Sequence, residues 1–138
     1  MTALVVDDEE VDRTRISNAL SAEGYRVLEA EGYSDAMAVF EMKRHDVTLL
    51  VADVSLPDGN GCALAIGMRK QKRDLRVLFV SGHVGAEVCK YYGLEVGALH
   101  FLRKPFEATE LVDRVRGILT SRERSPRLFV PKTLTSAG

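Results

Sequence analysis

The chain has almost no net charge: 19 Lys and Arg against 20 Asp and Glu leave −1 over 138 residues. So even a balance removes the global electrostatic case for nucleic acid, and the natural partner is another protein. Charge can then act only locally. No apolar run approaches the roughly 18–20 residues that a membrane span needs. The first residues reach acids at Asp7 without a basic leader, which argues against a signal peptide. Cysteine is scarce. Cys62 and Cys89 are too few for a disulfide framework or a zinc site, and are expected as two small buried or half-buried thiols. No internal repeat, linker or low-complexity segment breaks up the chain before residue 120. Together these absences suit a cytoplasmic protein. Its length suits one domain with a real core.

What is present is an alternation. Residues 3–6 form a short apolar run ending in acids, which reads as a buried strand. Residues 11–22 place Val11, Ile16, Ala19 and Leu20 at helical spacing, and Gly24 stops that helix. Residues 26–29 are a second strand. Ser34 is the expected N-cap of a helix over 35–43, with Ala36, Val39 and Phe40 on one face. Residues 47–52 are apolar apart from Thr48, as a central parallel strand should be. Pro57-Asp58-Gly59-Asn60-Gly61 is a dense turn signal, followed by a helix over 62–72 and a strand over 76–80. A weaker helix is predicted over 84–92, a fifth strand over 99–102 and an amphipathic helix over 107–119. Five strand–helix repeats predict an α/β fold, a parallel sheet between two helical layers with right-handed crossovers. From residue 122 to 138 the sequence is basic and proline-containing without a period, and is expected to be a mobile tail.

In an open parallel sheet, ligands bind beyond the carboxyl ends of the strands. Those ends carry Asp7, Asp8 and Glu9 after the first strand, Asp53 after the third, Ser81 and Gly82 after the fourth, and Lys104 and Pro105 after the fifth. Three aspartates in one pocket repel one another unless a cation is present. Magnesium suits them, because it binds through one or two carboxylates plus a phosphate and keeps waters. Lys104 can pair with a phosphoryl oxygen and Ser81 can donate to another. This is the inventory of a phosphoryl-transfer site, where positioning and charge neutralisation do most of the catalysis. Asp53, the lone acid on the central strand, is the candidate nucleophile. Each residue also has an ordinary structural reading. A strand-end acid commonly caps a helix, a strand-end serine caps backbone, and a lone lysine is usually solvated. The case rests on their joint occurrence.

Four segments, in order, resemble response-regulator receiver domains of the chemotaxis-regulator type. They are Leu4-Val5-Val6-Asp7-Asp8-Glu9, residues 53–61 with their proline and glycine turn, Val80-Ser81-Gly82, and residues 97–106 with Lys104-Pro105. The resemblance covers about residues 2–121, so residues 1–121 are expected to be the receiver and 122–138 the tail. It implies a doubly wound, flavodoxin-like, three-layer α/β/α fold with a five-stranded sheet in the order 2-1-3-4-5. Asp53 would be the phosphoacceptor. Asp7, Asp8, Asp53 and the backbone carbonyl of Ser55 would hold Mg2+, with Mn2+ as a substitute and Asp7 acting largely through water. Lys104 would contact the phosphoryl group, and the Lys104–Pro105 bond would be cis. Ser81 would move towards the phosphate and Phe101 would turn inward with it. That pair would pass the change to the surface of the fourth helix, fifth strand and fifth helix. Implied partners are a histidine kinase or histidine phosphotransfer protein and a downstream effector, with dimerisation through that surface on phosphorylation.

Serine at 81 stands where threonine is commoner, and Phe101 where tyrosine is frequent. Ser55 and His83 flank the phosphate at positions that vary in the family. His45 and His100 show no ligand spacing and are taken as structural. An aspartyl-phosphate phosphohydrolase would usually carry a second aspartate two residues after the first, where this chain has Ser55. A dinucleotide-binding site is disfavoured by an acidic first turn. The remaining alternatives are a degenerate receiver that only binds partners and, within the main reading, a stand-alone regulator or the receiver of a hybrid histidine kinase. On this view the chain is a signalling phosphoacceptor and no enzyme beyond its own phosphoryl transfer and loss.

Overall fold

The computed structural model describes residues 1–82 and 100–120. Along them run β1 (Thr2–Val6), α1 (Glu10–Ala22), β2 (Arg26–Ala30), α2 (Tyr33–Lys43) and β3 (Val47–Asp53). A two-residue ribbon of β4 (Ser55–Leu56) and β5 (Gly59–Asn60) comes next, then α3 (Gly61–Gln71), β6 (Arg76–Ser81), β7 (Phe101–Arg103) and α4 (Ala108–Thr120). Five strands form one sheet in the order β2-β1-β3-β6-β7, and every neighbouring pair is parallel. With the ribbon set aside, this is the doubly wound order 2-1-3-4-5.

Strand alternation builds the two halves of the core. Leu4 and Val6 of β1, Leu50 and Ala52 of β3, and Val77 and Phe79 of β6 face Ala36 and Phe40 of α2 and Leu64, Ala65 and Met68 of α3. The intervening residues Ala3, Val5, Leu49, Val51, Leu78 and Val80 face Ile16 and Leu20 of α1 and Leu111, Val115 and Ile118 of α4. This is why β1, β3 and β6 read as continuous apolar runs: both of their faces are covered. Burying each large aliphatic or aromatic side chain contributes about 1.5–3 kcal/mol.

Local signals set most of the boundaries. After α1, the Tyr25 amide donates to the Leu20 carbonyl and the Gly24 amide to that of Ser21. This closure needs the positive φ of 91° that Gly24 supplies. Asn60 caps α3, its Oδ1 accepting from the Ala63 amide at 2.8 Å.

Three expectations are corrected. Ser34 is not the N-cap of α2. The helix starts at Tyr33 after Gly32, and the side chain over its first amides is Asp58, from the turn between β4 and β5. The fifth sheet strand runs over Phe101–Arg103, beginning two residues and ending one residue later than the apolar pattern suggested. Cys62 is not a thiol but is disulfide-bonded. The expectation of a thiol followed the ordinary state of cysteine in a reducing compartment, and sequence alone does not show whether a cysteine has a partner within bonding distance in the fold. The helix expected over 84–92 and the tail over 122–138 lie outside the described residues.

Candidate functional site

Sheet register assembles the site before any side chain is considered. Val6 of β1 lies opposite Ala52 of β3, so Asp7 and Asp53 leave the sheet side by side. Each continues the alternation of the face that packs on α1 and α4, after Ala3 and Val5 and after Leu49 and Val51. On the other side of β3, Ser81 of β6 lies opposite Arg103 of β7. The Lys104 amide then donates to the Ser81 carbonyl at 2.8 Å. The Lys104–Pro105 peptide bond is cis.

From there the Lys104 side chain reaches back across the strand ends. Its Nζ donates to Asp7 Oδ2 at 2.8 Å, to Asp53 Oδ2 at 2.8 Å and to Asp12 Oδ2 at 2.9 Å. Asp7 has no exposed surface and Asp53 only 7%, so little water competes for these bonds. The other carboxylate oxygens are held by backbone: Asp7 Oδ1 accepts from the Glu9 amide and Asp53 Oδ1 from the Ser55 amide, both at 2.9 Å. Arg13 steadies the first turn, donating to the Asp7 carbonyl at 2.9 Å and to Glu29 at 3.0 Å.

The electrostatics follow from three carboxylates sharing one ammonium. Burial pushes the Asp7 carboxyl above its ordinary range, and the bonds from Lys104 and the Glu9 amide only partly offset this, with Asp53 adding to the rise. Burial also works against the Lys104 ammonium, but the bonds to Asp53, Asp7 and Asp12 outweigh it and raise its pKa. A raised acid beside a raised base is consistent. Lys104 has more partners than it needs, while Asp7 has less cation than it needs.

One ligand oxygen from each of Asp7, Asp8 and Asp53 lies within 4.8 Å of the others, with Asp8 at the surface. Three hard oxygen donors, one side open to water, fit a divalent cation that keeps part of its hydration. Gly61 packs against the same loop. A Cβ there would stand 2.4 Å from the Asp53 carbonyl oxygen, so the close approach of α3 to the Asp53 segment requires glycine.

Not every expected residue points inward. Ser81 is buried, and its hydroxyl donates to the Gly82 carbonyl at 2.9 Å. Phe101 is half-buried and lies against Phe79, with ring centroids 5.5 Å apart. His83 lies outside the described residues. Sequence reasoning missed Asp12, Arg13 and Asp58. The available signal for Asp12 was its place in the first turn of α1, close behind the acid pair.

A family model described as a response regulator receiver domain matches residues 3–116. The aerobic respiration control protein ArcA of Escherichia coli K12 is 36% identical over 117 residues, which is 85% of this chain and 48% of ArcA. The phosphate regulon transcriptional regulatory protein PhoB of Pseudomonas aeruginosa is 38% identical over 120 residues, 86% of this chain and 51% of PhoB. The chain thus spans about half the length of these curated relatives. Among solved structures, the non-phosphorylated HemR receiver domain from Leptospira biflexa has a TM-score of 0.75 at 32% identity, covering 88% of this chain and 96% of that one. The receiver domain of the hybrid histidine kinase CckA has a TM-score of 0.71 at 28% identity, covering 87% and 100%.

Proposed function

Because the chain belongs to the response regulator receiver domain family of two-component signalling proteins, we propose that its Asp53 accepts a phosphoryl group from a phosphohistidine. The observation that carries this reading is the Lys104 ammonium, 2.8 Å from both Asp7 and Asp53, beside three convergent carboxylates. An Asp53 carboxylate oxygen attacks phosphorus, an O–P bond forms, and the P–N bond to the donor imidazole breaks with its electron pair leaving on nitrogen. Asp7, Asp8, Asp53 and the Ser55 carbonyl would hold Mg2+, or Mn2+ in its place. That ion supplies charge neutralisation for the phosphoryl oxygens. The Ser55 amide, fixed on Asp53 Oδ1, aims the nucleophile. Lys104 pairs with a phosphoryl oxygen.

The donor is a histidine kinase or a histidine phosphotransfer protein, and the output is an effector protein or self-association. Ser81 exchanges its bond to the Gly82 carbonyl for one to the phosphoryl group. Phe101 then follows and re-shapes the surface around β7 and α4. The protein works as a cytoplasmic phosphoacceptor and catalyses no reaction other than its own phosphorylation and dephosphorylation. Residues 1–121 form the receiver and 122–138 a tail. No described helix is long and apolar enough to cross a membrane.

Acetyl phosphate with Mg2+ is the direct test. It should yield one phosphorylated species by phosphate-affinity electrophoresis, abolished by Asp53→Asn and by chelation of the metal. A folded protein that takes up neither phosphate nor beryllofluoride would reduce the chain to a binding module.

A further inference from the structure

Lys104 has three N–H donors, and all three are engaged. For Lys104 to donate to an incoming phosphoryl oxygen, one acceptor must let go. We infer that Asp12 is that acceptor: a positioning residue that holds Lys104 in the resting state and competes with the phosphoryl group for it. This rests on the proposed role of Asp53 and Lys104.

The choice among the three acceptors follows from burial and alternatives. Asp7 has no exposed surface and its other oxygen is already taken by the Glu9 amide, so releasing Lys104 would strand a buried charge. Asp53 carries the phosphoryl group itself. The Asp12 side chain is 32% exposed and can turn to water at little cost. Asp12 also lies outside the cluster of carboxylates that can share a metal ion. Its place is dictated by α1: it is in the first turn, on a helix packed against α4, the helix that follows Lys104 and Pro105. The carboxylate therefore makes phosphorylation less favourable and the phosphoryl group shorter-lived than they would be with Asp7 and Asp53 alone.

The bland account is that Asp12 is a first-turn acid that only stabilises α1 through the helix dipole. Glu10 is the other first-turn acid and provides the control. The experiment compares wild type, Asp12→Asn and Glu10→Gln by titration with beryllofluoride at saturating Mg2+, by titration with Mg2+ alone, and by urea unfolding to establish that each is folded. Releasing one partly exposed charge-assisted bond should tighten beryllofluoride binding roughly two- to fivefold in Asp12→Asn. The phosphoryl group loaded from acetyl phosphate should persist longer by a similar factor, while Glu10→Gln matches wild type in both. Affinity for Mg2+ alone should stay within about twofold. Unchanged or weaker beryllofluoride binding in Asp12→Asn overturns the inference, as does equal tightening in both variants. A wild type that binds no beryllofluoride overturns instead the phosphoacceptor reading beneath it, and the Asp12 inference with it.

Discussion

Lys104→Met keeps most of the unbranched side chain and removes the one cation among three carboxylates. In the metal-free protein this leaves Asp7 with no exposed surface and no charge partner. Breaking a buried ion pair from one side typically costs about 3–5 kcal/mol. The upper end is limited by an escape route, since the stranded carboxyl can take a proton. From the ordinary value of 3.8, protonation at pH 7 costs about 1.36 × 3.2, or about 4.4 kcal/mol. The expected loss is therefore about 3–4 kcal/mol, a large share of the roughly 5–15 kcal/mol that holds a domain together. The assay is urea unfolding of wild type and variant in EDTA and again at rising Mg2+. A cation bound only by the folded state stabilises by RT ln(1 + [Mg2+]/Kd), about 2.7 kcal/mol at a hundredfold excess over Kd. The variant, with no competing ammonium, should bind the ion more tightly, so the gap to wild type should narrow as Mg2+ rises. A loss below about 1 kcal/mol in EDTA would refute the electrostatic account. So would a gap that is the same with and without Mg2+.

Two further outcomes follow from backbone contacts near the site. Gly61→Ala puts a Cβ 2.4 Å from the Asp53 carbonyl oxygen, so it should destabilise by about 1–3 kcal/mol in urea unfolding and slow uptake of phosphate from acetyl phosphate by displacing the Asp53 segment. Asp58 accepts from the Tyr33 amide at 2.7 Å and the Ser34 amide at 3.0 Å, and these bonds hold its carboxyl below the ordinary 3.8. A depressed acid contributes stability that is complete above its unfolded pKa and lost as pH falls through the folded one. Asp58→Ala should therefore be less stable than wild type at neutral pH, with the difference constant down to about pH 5 and closing below about 3.8. A difference that persists in full at the acid end would mean the cap does not act through its charge.

The sheet was legible because its residues are local signals with fixed consequences. A continuous apolar run such as 47–52 says that both faces are covered, and parallel order then fixes which end of each strand meets the ligand. Asp7, Asp8, Asp53 and Lys104 could be placed together from that rule alone. What was not legible shares one cause. Asp12 reads as a usual first-turn acid, Asp58 as a turn residue and Cys62 as a small core residue, and each of those local readings is satisfied. The second partners of the two aspartates are remote: Asp12 meets a lysine 92 positions away, and Asp58 caps a helix 24 and 25 positions back. Periodicity carries no information about such a partner. The Ser34 error has the same origin, because a cap borrowed from another element makes a local cap unnecessary.

A count of charges shows why the fourth carboxylate matters. Four aspartates, Asp7, Asp8, Asp12 and Asp53, stand against Lys104, so the formal charge of the site is −3. A divalent cation brings this to −1. Esterifying Asp53 removes one negative charge but adds a group of about −1.5 to −2 at neutral pH, so the phosphorylated site is more negative than the metal-bound one. Lys104 is the one cation bonded to these carboxylates among the described residues, and every carboxylate that keeps hold of it leaves the new charge less neutralised. Asp7 and Asp53 cannot be spared, because they also converge where a cation would sit. Asp12 can be, since it lies outside that cluster and is partly exposed to water. The acid that contributes least to building the site is therefore the one placed to set how easily the site is phosphorylated and how long that state lasts.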